Sequence, residues 1–157
     1  MDSRALSQRT IASAMSVRDI VSVAPSASVL VAAAAMTGAN CGSAIVLSDG
    51  AIVGIITERD ILTRIVAARL DPGTTSVESI MTRKPVCARP DLLVTHALYT
   101  MKELGFRHFP VVDSSRKPIG VFSLSDALGK ELEKVTGLSS VRESFQRRRW
   151  RSPSTLA

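Results

Sequence analysis

The sequence predicts an α+β protein built from two similar halves, each reading strand, helix, strand, strand, helix. Three observations carry that expectation. Landmarks recur at a fixed offset: Pro25 and Pro90, Val29 and Val94, and Met36 and Met101 are 65 residues apart. Gly54 and Gly120, and Asp60 and Asp126, are 66 apart, one extra residue in the loop after Asp113 accounting for the change. The hydrophobic pattern between the landmarks follows the same order in both halves. Finally, a short apolar strand that ends in a hydroxyl and opens a helix occurs twice, as Gly54-Ile55-Ile56-Thr57-Glu58-Arg59-Asp60 and as Gly120-Val121-Phe122-Ser123-Leu124-Ser125-Asp126.

Taken in order, residues 1–14 are polar and unpatterned and read as a frayed lead-in. Val17 to Val23 is extended and stops at Ala24-Pro25, because a residue before proline is pushed out of the helical region. A helix follows from Ser28 to Thr37, capped by Ser26 or Ser28 and ended by Gly38. It is apolar nearly all round, which predicts burial on several sides. Ser43 to Leu47 and Ile52 to Ile56 are strands joined by Ser48-Asp49-Gly50, an Asp-Gly hairpin turn. A helix from Thr57 or Glu58 to Leu70 places Ile61, Leu62, Ile65 and Val66 on one face, and Asp71-Pro72-Gly73 stops it.

Val77 to Met81 is a short helical link, and Lys84 to Ala88 is extended. Asp91 caps a helix that runs to Leu104 and closes at Gly105. Phe109 to Val112 and Ile119 to Phe122 are strands around an Asp113 to Pro118 turn, and a last helix runs from Ser123 to Val135. Neither half buries both faces of its small sheet alone, so the two pack together. The resulting divisions are a lead-in (1–15), two halves (16–75 and 76–137) and a basic tail (138–157).

With 157 residues the chain is long enough for a real core. No apolar run approaches the roughly 18–20 residues of a membrane span, and the first residues carry no targeting pattern, which makes the cytoplasm the expected location. Cys41 and Cys87 are too few and too far apart for a zinc motif and read as buried structural thiols. The formal charge of +6 sits mostly in the tail, where Arg142, Arg147, Arg148, Arg149 and Arg151 face one acid, Glu143. There Ser140-x-x-Glu143 is a capping box before Phe145 and Trp150, so a short amphipathic helix is an alternative to a solvated end. Such a tail could touch nucleic acid or an acidic partner. No nucleophile–base–acid set, metal-ligand cluster or Walker-type loop is discernible, and an enzyme is not expected. His96, in mid-helix, reads as structural or exposed.

The repeated junction admits two readings. Thr57 with Asp60, and Ser123 with Asp126, have the spacing of a helix cap and an acid in the first turn. The same groups suit a ligand. A carboxylate accepts hydrogen bonds from the vicinal hydroxyls of a ribose, a Thr or Ser hydroxyl donates and accepts beside it, and a helix N-terminus suits phosphate.

The body, about Ser16 to Val135, resembles a tandem pair of cystathionine-β-synthase-type (CBS) domains of the small stand-alone type. The resemblance rests on the two junctions together with Ile80-Met81-Thr82 and Arg107-His108-Phe109-Pro110-Val111-Val112-Asp113. It implies two β-α-β-β-α domains packed sheet to sheet with pseudo-two-fold symmetry, leaving two clefts for adenine nucleotides (AMP, ADP, ATP or NAD(H)) or other adenosyl compounds. It also implies a homodimer and a regulatory role in which an unidentified protein partner receives the signal. Carried over, Thr57 and Asp60 hold the ribose in the first cleft and Ser123 and Asp126 in the second. Ile20, Val21 and Ser22, and Pro85, Val86 and Cys87, contact adenine largely through backbone. Ala44, Phe109 and Pro110 line the clefts. Arg59, Lys84, Arg83, Arg107 and His108 supply cations for phosphate. Ser125 stands where Arg59 does in the first half, so the clefts are expected to differ in charge. Cys87 stands where family members often have Thr, which leaves its side chain a poorer hydrogen-bonding group.

Overall fold

The computed structural model describes residues 8–15 and 20–127. The expectations for the basic tail, the end of the last helix and residues 16–19 therefore lie outside the described residues. The described chain runs α1 (Ile11–Ala14), β1 (Ser22–Val23), α2 (Val29–Gly38), β2 (Ser43–Ser48), β3 (Ala51–Thr57), α3 (Glu58–Ile61) continuing into a π-helical segment (Leu62–Val66), α4 (Val77–Ile80), β4 (Thr82–Arg83), α5 (Val94–Leu104), β5 (His108–Val112) and β6 (Pro118–Ser123). Residues 124–127 begin a further helix.

The first sheet has the order β1-β2-β3-β4, with β1 parallel to β2 and the other pairs antiparallel. The second sheet pairs β5 with β6, and Ala88 adds a single parallel bridge to Val111. A ladder irregularity falls between Val46 and Leu47 in one sheet and between Val111 and Val112 in the other. These are equivalent positions, so the repeat extends to backbone detail. The first hairpin turns at Asp49 and Gly50, both left-handed (φ 50° and 76°), as the Asp-Gly signature requires.

Several expectations change. Ser28 caps α2 by accepting the Val31 amide at 3.3 Å, but Gly38 is the last helical residue and the left-handed turn is made by Asn40 (φ 52°). Only one face of α2 is buried, through Val29, Ala32 and Met36, while Leu30 and Val31 are exposed. The helix after β3 does not run as an α-helix to Leu70. The Thr63 hydroxyl donates to the Arg59 carbonyl (2.7 Å), a local bond of the kind that distorts helices, and the Ala67 amide reaches back five residues to Leu62. Ile65 turns inward, while Leu62 and Val66 are left 61% and 62% exposed. Asp91 does not cap α5. It faces Arg89 at 3.5 Å, and Leu93 is the capping residue. Gly105 does end that helix, at φ 74°. Lys84 is left-handed (φ 46°), so the segment entering the second half is bent there rather than extended throughout. Both cysteines are free and half-buried rather than core thiols.

The largest departure is at the start. Residues 8–15 are not a frayed lead-in. The Ile11 amide donates to the Leu92 carbonyl (2.8 Å), the Ala12 amide to Pro90 (2.9 Å), and the Val94 amide to the Arg9 carbonyl (2.8 Å). Ile11 is fully buried in the second core with Val94, Ala97, Met101, Phe109, Val111 and Phe122. The first core is closed in the same manner by α4: the Val77 amide donates to Ala27, Glu78 to Pro25, and the Val29 amide to Thr75. Each core thus receives a helical turn from the segment that precedes the other half in sequence. Glycine makes room for this exchange. A Cβ on Gly54 would lie 2.3 Å from the Met81 sulfur, and one on Gly120 2.6 Å from the Met15 sulfur.

Candidate functional site: two clefts between the halves

Both junctions are capping boxes built from the same atoms. The Asp60 carboxylate accepts the Thr57 amide (2.9 Å) and hydroxyl (2.7 Å) through Oδ2, and the Asp60 amide donates back to Thr57 Oγ1 (3.3 Å). Asp126 Oδ2 accepts the Ser123 amide (2.8 Å) and hydroxyl (2.6 Å), and its amide donates to Ser123 Oγ at 3.4 Å. The carboxylates are 9% and 5% exposed. A buried carboxylate needs such donors to stay charged. The local spacing thus does structural duty in both halves. The second oxygen of Asp60, Oδ1, is 3.6 Å from Arg64 Nε, and Arg64 NH1 also donates to the carbonyls of Ile80 and Met81. The Thr57 and Asp60 amides are used within the capping box and the Glu58 amide donates to Gly42 O, so the helix N-terminus contributes little toward a phosphate. That part of the expectation gives way to the side-chain cations.

The first cleft has a volume of about 380 Å³. It brings Thr57, Arg59 and Asp60 together with Lys84, Pro85 and Val86 from the segment entering the second half, with Arg107 just before β5, and with His108 and Pro110 on it. The second cleft, about 150 Å³, brings Ser123 and Asp126 together with Ile20 and Val21 and with the Asn40–Ser43 loop; His108 lines it as well. Each cleft therefore combines the junction of one half with a segment of the other, Lys84-Pro85-Val86 in the first and Ile20-Val21 in the second.

Five expected residues, Ser22, Ala44, Arg83, Cys87 and Phe109, line neither cleft. Ala44 is fully buried in the first core, and Phe109 is buried in the second, edge-on to Phe106 with ring centroids 5.0 Å apart. Ser22 is exposed on β1. The Arg83 guanidinium donates to Glu78 O (3.0 Å). Residues not foreseen take their places: Gly42 on the wall of both clefts, and Glu58 and Phe106 in the first. The repeat offers a signal for them, because Asn40-Cys41-Gly42-Ser43 lies 65 residues before Gly105-Phe106-Arg107-His108. At these equivalent positions the first cleft receives Arg107 and His108, and the second receives Gly42 and Ser43.

His108 is held below the usual histidine range by burial first and by the neighbouring Arg107 charge second, with Glu58 and Asp126 opposing. Burial pushes the Cys87 thiol up, Arg116 opposing, so it stays protonated and unreactive at neutral pH. Among the described residues, no group of three or more His, Cys, Asp or Glu side chains is placed to hold a metal ion, and no helix is long and apolar enough to cross a membrane.

Two β-rich halves with a cleft at each crossed junction are the architecture of a CBS-domain pair. The CBS-domain family model matches residues 12–67 and 77–133, and the chain belongs to that family. An Arabidopsis thaliana CBS domain-containing protein is 34% identical over 138 residues, covering 85% of this chain and 25% of the relative. The chain spans a quarter or less of the first curated relatives it matches. A CBS domain protein from Pyrobaculum aerophilum, solved in complex with AMP, superposes with a TM-score of 0.69 at 26% identity, covering 75% of this chain and 89% of that one. A CBS-domain pair solved with 5′-methylthioadenosine and S-adenosyl-L-methionine gives a TM-score of 0.67 at 27% identity, covering 75% and 95%.

Proposed function

We propose that this chain is a non-catalytic regulatory module of the cytoplasm that binds an adenine nucleotide or another adenosyl compound between its halves and signals its occupancy to a partner protein. The observation that carries the reading is the composition of the first cleft. A ribose-competent carboxylate and hydroxyl (Asp60, Thr57), an apolar Pro85-Val86 wall for a flat base, and three cations (Arg59, Lys84, Arg107) line one space. A site with a few polar groups on an apolar lining is the usual form of a small-molecule pocket. The AMP and S-adenosylmethionine complexes of similar CBS pairs support the adenosyl class. The reading includes a homodimer. Its support is the apolar surface that α2 and the π-helical segment leave open, where Leu30, Val31, Leu62 and Val66 are all more than half exposed.

The test is thermal unfolding against AMP, ADP, ATP, NAD, NADH and S-adenosylmethionine. A ligand at 100 times its dissociation constant adds about 2.7 kcal/mol. For a chain of this size that is a rise of roughly 5–10 °C. Flat curves across the panel would sink the reading and leave Thr57 and Asp60 as helix caps.

A further inference from the structure

Among the described residues, His108 is the one titratable side chain that lines both clefts. It stands on the partition between them. Across from it is Gly42, where a Cβ would lie 3.0 Å from His108 Nε2 and 3.2 Å from Glu58 Oε2. The imidazole edge and the Glu58 carboxylate therefore converge over the Gly42 α-carbon. Every charged group that faces the ring can be named. Glu58 comes from α3, Arg107 immediately precedes β5, and Asp126 comes from the helical turn after β6. Arg59, Asp60 and Lys84 share the first cleft with it, and the Asn40–Ser43 loop brings the Cys41 thiol but no charged group.

This environment favours the neutral ring, which has one donor and one acceptor nitrogen. A phosphate held by Arg59, Lys84 and Arg107 would place negative charge beside the ring, and a nearby opposite charge favours the protonated form. We propose that His108 takes up a proton when a phosphate-bearing nucleotide binds in the first cleft, so that nucleotide affinity is linked to pH and the charge on the wall of the second cleft follows the occupancy of the first. This rests on the nucleotide reading of the first cleft. The sign is fixed by linkage. The bound form holds the proton more tightly than the free form, so affinity rises as pH falls through the bound-state midpoint and levels off below the free-state midpoint. By reciprocity, a proton placed on His108 tightens the first cleft for phosphate by the same factor.

The experiment is a proton NMR titration of the histidine ring resonances, with and without saturating AMP, and with adenosine as the uncharged probe. The chain has two histidines, and the exposed His96 is removed by His96→Gln to leave His108 alone. AMP is expected to raise the His108 midpoint by about one pH unit, which corresponds to about tenfold tighter AMP binding at pH 5 than at pH 8 from this group. Adenosine should leave the midpoint in place, and His108→Gln should remove the tenfold, leaving only the titration of the phosphate itself. Calorimetric binding of AMP with an unmoved His108 midpoint would overturn the proton link alone. No binding of AMP, ADP, ATP, NAD or NADH to the wild-type chain at either pH would overturn the nucleotide reading as well.

Discussion

The two junctions of the repeat match atom for atom in their caps and differ in the two residues between cap and acid. Thr57 and Asp60 lock together as Ser123 and Asp126 do, with amide, hydroxyl and carboxylate in the same three bonds. Between them stand Glu58 and Arg59 in one half and Leu124 and Ser125 in the other. One strand earlier, Gly42 and Ser43 answer to Arg107 and His108. The caps are duplicated, and apart from Leu124 the divergence falls on residues that line the clefts. The difference teaches where discrimination resides. Both clefts carry the hydroxyl–carboxylate pair, so the pair alone cannot choose a ligand. Size and charge around it can.

The equivalence of the halves is broken most severely at the helical turns they exchange. Ile11→Ala should empty a filled site in the second core and cost about 2–5 kcal/mol. Each kcal/mol lowers the midpoint of a chain this size by roughly 2–4 °C. Val77→Ala, at the equivalent site in the first core, should cost less, because it removes one carbon fewer at about 0.8 kcal/mol per buried methylene. Chemical denaturation measures both. An Ile11→Ala protein as stable as wild type would detach α1 from the second core.

Next in size is the ligand. Asp60→Ala should weaken nucleotide binding at the first cleft by more than tenfold, and Asp126→Ala should do the same at the second, each leaving the other cleft's isotherm in place. Calorimetry reads both. Each change also removes the acid of a capping box, which lowers stability, so the comparison belongs well below the unfolding midpoint. Unchanged affinity in both variants would reduce the two carboxylates to helix caps.

How the halves read in sequence follows the range of each interaction. The capping junctions depend on residues three apart, and the spacing shows them directly. The Asp-Gly hairpin is equally local. The family resemblance puts Ala44 and Phe109 in the clefts, whereas both are buried in the cores. In β2 residues 43–46 are all buried, so no alternation marks which side faces the cleft. Ile11 was missed because a four-residue helix in a polar stretch has no periodicity of its own. Its meaning comes from contacts with Pro90 and Leu92, some eighty residues away. The repeat held the clue, since Ile11 and Val77, and Met15 and Met81, keep the same 66-residue offset. The π-helical segment was not legible either, because it follows from competition for one carbonyl rather than from pattern.

The charge difference between the clefts is sharpened by exchanging its determinants. Ser125→Arg places in the second half the cation that Arg59 supplies in the first. It should tighten a phosphate-bearing ligand at the second cleft severalfold while leaving adenosine unchanged, and Arg59→Ser should loosen the first by a similar factor. Salt should erase both effects, since they act through partly screened charges. Equal responses of AMP and adenosine would mean that the position shapes the cleft without reading charge.

The smallest expected difference separates the two hairpin turns. The first is set by backbone, with Asp49 and Gly50 both left-handed. The second is held by a side chain. Asp113 Oδ1 accepts the Ser115 amide (2.8 Å) and the Lys117 amide (2.9 Å), with Arg116 left-handed at φ 64°. The backbone hydrogen bond from Lys117 is the main reason the Asp113 carboxyl sits below the usual carboxylate range. A depressed folded-state value means that the carboxylate stabilises the turn above the unfolded-state value and ceases to do so as pH falls through the folded one. Below that point the Ser115 and Lys117 amide resonances should move upfield together, and Asp113→Ala should leave them there at every pH. The Gly50 amide should stay in place over the same range. Asp113 is half-buried and its bonds stay within the turn, so the effect belongs to the turn and not to global stability, and a matching acid shift at Gly50 would show that the two turns are held in the same way.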